Sequence, residues 1–484
     1  MKFSHKTALV RSISWLPVGL AIVIFTGCAS VGPNYTPPKA SVSTDWYAQL
    51  KGGLTAQEMN PQTLAAWWTT LDDPALSHLI ERAVSGNLDL KKARARIREA
   101  RARRGVANAA RFPTLDATGS VTRSRSSEET GTGETSSLYA VGIDAGWELD
   151  IFGGVRRSVE AAEADLGASK EGMRDVLVSL LAEVALNYLE VRTYQARLAV
   201  AEENLEAQKD THQLTLWRNQ AGLSDQLAVE QARYNLENTR SQIPTLRTGS
   251  EQAMNRIAVL LGEQPGMVHT ELEQYKPIPV TPLQVAVGVP ADVLRRRPDV
   301  RQAERELAAQ TARIGVSTAD LYPKFKLSGS IGLEAFSSGN LVSYGSRILS
   351  GGPSITWRIF DAGAIRQNIE VQSALQEQYL IAYEAAVLNA LKEVENAIVA
   401  YAEEQNRRQS LTETTRAAQR AADLAQHKYQ AGLADFNNVL DAQRSLLSFQ
   451  DQLAQSDGTV TSNLVRLYKA LGGGWTSLAQ NEKK

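Results

Sequence analysis

The 484-residue chain carries one cysteine, Cys28, and five histidines, His5, His78, His212, His269 and His427. A lone cysteine excludes an intramolecular disulfide, and histidines scattered this widely have no metal-ligand spacing. No nucleophile–base pair, metal cluster or phosphate-binding loop has the context that catalysis requires. What remains is modification of one thiol, together with electrostatics, so the chain reads as a non-enzyme. Its 52 basic and 53 acidic side chains balance, and bulk charge names no polyanionic partner. The run Lys91-Lys92-Ala93-Arg94-Ala95-Arg96, continued by Arg103-Arg104, has the composition of a nucleic-acid-binding helix. An export signal upstream of it argues against nucleic acid and for a solvated or lumen-facing helix surface.

That signal ends at Cys28. Lys2, Lys6 and Arg11 precede a 13-residue apolar core, Ile13 to Phe25. The segment Phe25-Thr26-Gly27-Cys28 resembles the lipobox of bacterial lipoproteins, with Phe25 standing where an aliphatic residue is usual. The resemblance implies cleavage after residue 27 and lipid on the sulfur and amine of Cys28. It also implies transfer to the outer membrane, since Ala29 rather than aspartate follows. Cleavage takes three positive charges from a net of −1 and leaves −4. No later apolar run reaches 18 residues, so no transmembrane helix is expected.

Two long segments must position whatever the chain does. From Gly154 to Ala221 there is no proline, and Leu177, Val184, Val191, Leu198 and Leu205 recur every seven residues. Ala364 to Ala431 has neither proline nor glycine. Each predicts a helix roughly 100 Å long, packed as a coiled coil. Ala221-Gly222-Leu223 and Ala431-Gly432-Leu433 then reverse the chain, with glycine at the usual C′ position. Return helices follow, with heptad positions Val229, Leu236, Ile243 and Ile257, and Val439, Leu446, Leu453, Val460 and Leu467. Pro244 interrupts the first of them and predicts a kink.

Before each long helix the period changes to two. Leu115, Ala117 and Val121 alternate with polar residues between Thr114 and Arg123. After a polar stretch from Ser124 to Ser137, Tyr139, Val141, Ile143, Ala145, Trp147 and Leu149 share one face. Phe325, Leu327, Ile331 and Leu333 repeat the pattern, followed by Ile355, Trp357 and Ile359. Such hairpins, apolar on one side, suit strands crossing an outer membrane, with Phe112 and Trp147 toward its interfaces. Everything recurs at an offset of 210: Asp89 and Asp299, Pro113 and Pro323, Trp147 and Trp357, Gly153 and Gly363, Gly222 and Gly432. The chain is a tandem duplication.

The expected organisation is a signal peptide (1–27) and a lipidated tether with an equatorial segment (28–73). The first repeat (74–264) holds a hairpin at 112–150, a long helix at 154–221 and a return helix at 225–262. A proline-rich linker (265–290) leads to the second repeat (291–475), with counterparts at 322–360, 364–431 and 435–471, and a tail (476–484). Four membrane strands leave open edges, which lipid does not tolerate, so the chain must oligomerise. Two copies give an eight-stranded barrel filled by side chains, whereas three give twelve strands and room for a pore. The fold class is thus mainly α with a membrane β-barrel: a homotrimeric 12-stranded barrel continued by a long periplasmic α-helical barrel of coiled coils.

The motifs Val31-Gly32-Pro33-Asn34-Tyr35, Leu294-Arg295-Arg296-Arg297-Pro298-Asp299, Val439-Leu440-Asp441-Ala442-Gln443-Arg444-Ser445-Leu446 and Tyr468-Lys469-Ala470-Leu471-Gly472-Gly473-Gly474-Trp475 resemble the TolC-like outer membrane factors. The likeness is strongest to their lipoprotein branch, typified by OprM and NodT. It implies a passive exit duct for drugs or other small toxic compounds, partnered by a periplasmic adaptor and an inner-membrane RND pump. It requires no cofactor beyond the lipid on Cys28. It also implies a periplasmic constriction at Asp441, with Asn437 and Asn438 where relatives often carry an apolar residue or a second aspartate. Tyr429 matches a tip tyrosine whose usual partner position holds Ala228. Asp451, ten residues beyond Asp441, reads as an exposed carboxylate. The reversals Gly222, Leu223, Gly432 and Leu433, as the points most distant from the membrane, are the expected adaptor-docking tips. A duct for type I protein secretion and a non-porous coiled-coil envelope lipoprotein are the alternatives.

Overall fold

The structure, a computed structural model, describes residues 30–475 apart from 40–41, 59, 280–281 and 283. The signal peptide, Cys28 and the tail lie outside the described residues. Helix α1 (Pro74–Gly86) starts at Asp73, whose carboxylate accepts from the N–H groups of Ala75 and Leu76, with Pro74 in the first turn. There follow α2 (Leu88–Ala109), strands β1 (Thr114–Arg125) and β2 (Thr135–Leu149), α3 (Gly154–Gln220) and α4 (Gln226–Leu261). The second set is α5 (Pro298–Ala319), β3 (Lys324–Ala335), β4 (Arg347–Thr356), α6 (Ala364–Gln430) and α7 (Phe436–Ala470). Elements α2, β1 and α3 coincide with α5, β3 and α6 at the 210 offset, residue for residue.

The strands form one antiparallel sheet in the order β1-β2-β3-β4. The two hairpins are joined through β2 and β3, from Tyr139 opposite Ala335 to Leu149 opposite Phe325. Strand β1 runs two residues further than the apolar alternation, to Arg125, because ladder hydrogen bonds continue under polar side chains. Strand β4 stops at Thr356, so Trp357 and Ile359 lie past the strand in which alternation placed them.

Packing divides the chain into two units, each built from both repeats. One holds the described residues up to Pro38 with Ile97–Ser169 and Ala303–Tyr383. The other holds Lys39–Arg96, Lys170–Gln302 and the described residues from Glu384. The repeats are therefore sequence units and not separate bodies, because their strands share one sheet.

The heptad apolar positions are buried as expected, except Leu198 and Leu453, which are half-buried. In the second unit Ala201 and Leu205 of α3 pack on Leu236, Ile243 and Leu246 of α4. Ala418 and Ala422 of α6 pack on Leu446 of α7. Between these coils run polar contacts, Arg197 to Asp451, Asn204 to Gln450 and Gln443 to Thr211, and nearer the reversals an apolar cluster that both coils share. Helix α4 continues through Pro244 without ending. Near α1, Trp67 is buried and stacks on Tyr468 at 5.6 Å.

Candidate functional site

In the first unit, period-two alternation puts the apolar side chains of four strands into one register. Leu115, Ala117 and Val121 of β1 lie opposite Ala145, Ile143 and Tyr139 of β2. Val141, Ile143 and Trp147 lie opposite Leu333, Ile331 and Leu327, and Ile331 lies opposite Leu349 of β4. Leu115 is 73% exposed, Ile331 60% and Leu349 83%. This is a continuous apolar face that no layer among the described residues covers, and such faces mark interfaces. The reverse face is polar, with Thr118 donating to Asp144 at 2.9 Å and the Ser330 and Ser350 hydroxyls 2.7 Å apart. Trp147 and Trp357 each donate an indole N–H at 3.0 Å, to the carbonyls of Arg111 and Leu321, the same bond made twice 210 residues apart. Such side chains, apolar body and satisfied polar tip, suit a membrane interface.

The arm after Cys28 is fixed to the foot of this sheet. Val31 donates its N–H to the carbonyl of Phe152, just past β2. Arg157, 3% exposed on α3, donates to the carbonyls of Val31 and Gly32 and to Asn34 Oδ1 at 2.7 Å. Gly32 has φ +83°, and a Cβ there would sit 2.5 Å from Gly315 Cα, so only glycine fits. Tyr35 donates to Glu304, and burial together with that carboxylate pushes its phenol well above the usual range. The motif Val31–Tyr35 is therefore a clamp. It ties the described chain at Ser30, two residues after Cys28, to the end of a membrane strand.

In the second unit both helix reversals adopt the same cap. Gly222 and Gly432 have φ +71° and +73°. Leu223 N–H donates to Arg218 O and Leu433 N–H to Lys428 O, both at 2.8 Å, the Schellman pattern. Leu223 is 68% and Leu433 78% exposed. Trp217 and Leu227 are also exposed beside the first reversal, and sequence reasoning passed over both. Beneath them Ala228, Ala232, Tyr429, Phe436, Val439 and Leu440 form one apolar cluster. Tyr429 thus meets Ala228 as packing, and Arg218 takes its polar contacts. The guanidinium lies 4.5 Å over the ring and donates to the Tyr429 carbonyl at 3.1 Å.

Asn437, Asn438 and Asp441 are all exposed on α7, with Asp441 four residues after Asn437 and three after Asn438, opposite the buried Phe436, Val439, Leu440 and Gln443. The fold brings these three together on one face. Among the described residues Asp441 makes no ion pair. Asp451 is not the exposed carboxylate its sequence context suggested. It is half-buried and holds Arg197 in a two-pronged pair at 2.7 and 3.0 Å.

The motif Leu294–Asp299 proves to be structural. Arg297 is 7% exposed, pairs with Asp299 and Glu393 at 2.7 Å each, and donates to Ala470 O at the end of α7. Burial, with Asp299 nearby, pushes the carboxyl of Asp175 above its ordinary value, against the pull of Arg297 and Lys469.

Among the described residues no group of three His, Cys, Asp or Glu side chains is placed to hold a metal ion, and no helix is long and apolar enough to cross a membrane. The family model for outer membrane efflux proteins matches twice, at residues 79–263 and 289–473, again 210 apart. The chain is 33% identical to nodulation protein T of Rhizobium leguminosarum bv. trifolii, over 95% of this chain and 97% of that protein. It is 32% identical to the solvent efflux pump outer membrane protein SrpC of Pseudomonas putida, over 95% and 98%. Among solved structures it superposes on the outer-membrane channel OprN with a TM-score of 0.87 and 36% identity, covering 92% of this chain and all of that one. The likeness runs through the sheet, both long helices and both reversals, and the chain belongs to the outer membrane efflux protein family.

Proposed function

We propose that the chain is the outer-membrane exit channel of a tripartite RND-type efflux system. Three copies form the channel, each anchored by lipid on Cys28, and small toxic compounds pass through it from the periplasm to the exterior. The observation that carries this reading is the four-stranded sheet. Among the described residues its apolar face is uncovered, which water penalises, and its edge strands β1 and β4 are unpaired, which lipid penalises; a closed barrel in a membrane resolves both. The clamped arm supports the anchor, because a lipid two residues before Ser30 starts beside a strand end. The exposed leucines at both reversals support docking of a periplasmic adaptor, which links the channel to its pump. Export by the relative named for solvent efflux supports small apolar compounds as cargo.

Dye accumulation tests the reading. In cells that keep the cognate pump and adaptor, deletion of this chain should raise retention of a fluorescent efflux dye, and restoring it should lower retention. Unchanged retention after deletion would contradict the proposal.

A further inference from the structure

We propose that the rim of the apolar sheet face at Arg123, Arg125 and Arg347 binds the phosphate groups of a phosphorylated glycolipid in the outer leaflet of the membrane. The inference rests on the reading above that this sheet crosses the outer membrane, and it adds a lipid site to the wall of the channel.

Helices α2, α3, α5 and α6 all join the sheet at one end, and the two hairpin loops close the other. The pairing register sorts the strand residues onto two faces. On the polar face the charges are mixed in sign and spread along the strands: Asp116, Asp144, Glu148, Lys324, Lys326 and Glu334. On the apolar face the strands carry only three charged side chains, Arg123 and Arg125 on β1 and Arg347 on β4. All three are basic, and all three sit at the loop end. A need for solvation alone would accept carboxylates there equally and would leave the two ends alike.

Their height fits a headgroup. Arg123 follows Leu115 by eight residues, and Arg347 precedes Ile355 by eight. At about 3.4 Å per residue and a tilt of about 40°, eight residues climb roughly 21 Å. That is close to the apolar band, about 25 Å tall, that such strands present to lipid. The guanidinium groups therefore lie where acyl chains end and charged headgroups begin. Across the hairpin Arg123 pairs with Ser137 and Arg125 with Thr135, so a hydroxyl accompanies each guanidinium on the same face. Paired guanidinium N–H groups match phosphate oxygens, and the hydroxyls match sugar. Among the described residues Arg123 has no ion pair. Arg347 is held 4.2 Å over the ring of Tyr344, itself 80% exposed, and this contact orients the guanidinium without using its N–H groups. Arg125 donates to Gly133 O and to Glu128 at 3.2 Å each, an exposed pair that contributes little and that a phosphate can displace.

Lipid titration of the full-length protein, purified in detergent and followed by native mass spectrometry, tests the site. The probes are diphosphorylated lipid A, the same glycolipid with its phosphates removed, and phosphatidylglycerol. Wild-type protein should bind the first at least about tenfold more tightly than either of the others. Combining Arg123→Gln, Arg125→Gln and Arg347→Gln should weaken that binding about a hundredfold, roughly fivefold per arginine. Lysine at the same three positions keeps the charge and should stay within about tenfold of wild type. Lys326→Gln, on the polar face, should bind as wild type does. Equal binding of the dephosphorylated glycolipid or of phosphatidylglycerol overturns the proposal, as does wild-type binding by the triple glutamine variant. A lysine variant as weak as the glutamine variant overturns it too, because the loss would then not follow charge. Discrete wild-type conductance without phosphate-selective binding overturns this site and leaves the channel reading intact. Wild-type protein that fails to insert into a bilayer overturns both.

Discussion

Asp441 shares an exposed helix face with two asparagines, so a ring of three copies would present carboxylates and amides with no apolar residue among them. Converging carboxylates attract cations into a narrow mouth. Asp441→Ala should therefore weaken cation preference and relieve block by multivalent cations in bilayer recordings. The exposed Asp210 on α3 is the appropriate control, because changing Asp451 would break its pair with Arg197. Unchanged selectivity in Asp441→Ala would place the constriction elsewhere. At the other end of the chain, Cys28→Ser should abolish lipidation while the sheet still inserts. Mass spectrometry of the mature N-terminus reads this directly, and an unmodified Cys28 in the wild type would refute the anchor. A third residue reports on pH. The raised pKa of Asp175 means that the folded chain keeps this proton to a higher pH than the unfolded chain does. The stability it contributes is greatest below the ordinary aspartate range and is lost as pH rises through the raised value. Asp175→Asn should therefore raise the unfolding midpoint at pH 7.5 by about 2 °C, with a smaller difference near pH 4. An equal difference at both pH values would sink this assignment.

At the level of elements, the reversals carry the docking prediction. A β-carbon at Gly222 or Gly432 costs on the order of 1 kcal/mol at positive φ and shifts the exposed leucine that follows. Gly222→Val combined with Gly432→Val should abolish adaptor capture and efflux while membrane insertion and copy number persist. Wild-type capture in a pull-down would count against these tips. Elements of this kind were legible in the sequence because each rests on local rules. The absence of proline and the heptad Leu177–Leu205 mark α3, glycine marks its end, and alternation from Tyr139 to Leu149 marks β2. The limits of β4 were not legible, since pairing with β3 and not side-chain pattern decides them. Nor were Arg218 on Tyr429 or Arg197 on Asp451, whose partners lie 211 and 254 residues apart. The candidate site was legible in the same uneven way. The exposed face holding Asp441 follows from helical spacing, whereas the clamp from Arg157 to Asn34 depends on close approach that no local pattern reports.

For the molecule as a whole, duplication explains both what the single chain completes and what it leaves undone. The 210 offset supplies two hairpins for one sheet and two coiled-coil pairs, and every bond formed twice, such as those of Trp147 and Trp357, shows the copies sharing local geometry. Among the described residues it also leaves two bare strand edges, which further copies would satisfy. The central claim is that these copies enclose a conducting path through the outer membrane. Single-channel recording of the purified protein in a planar lipid bilayer tests it most directly. The account predicts small, discrete, cation-preferring conductance steps from the wild type, with the preference reduced in Asp441→Ala. Protein that inserts into the bilayer as a stable oligomer and yields no discrete steps would contradict it.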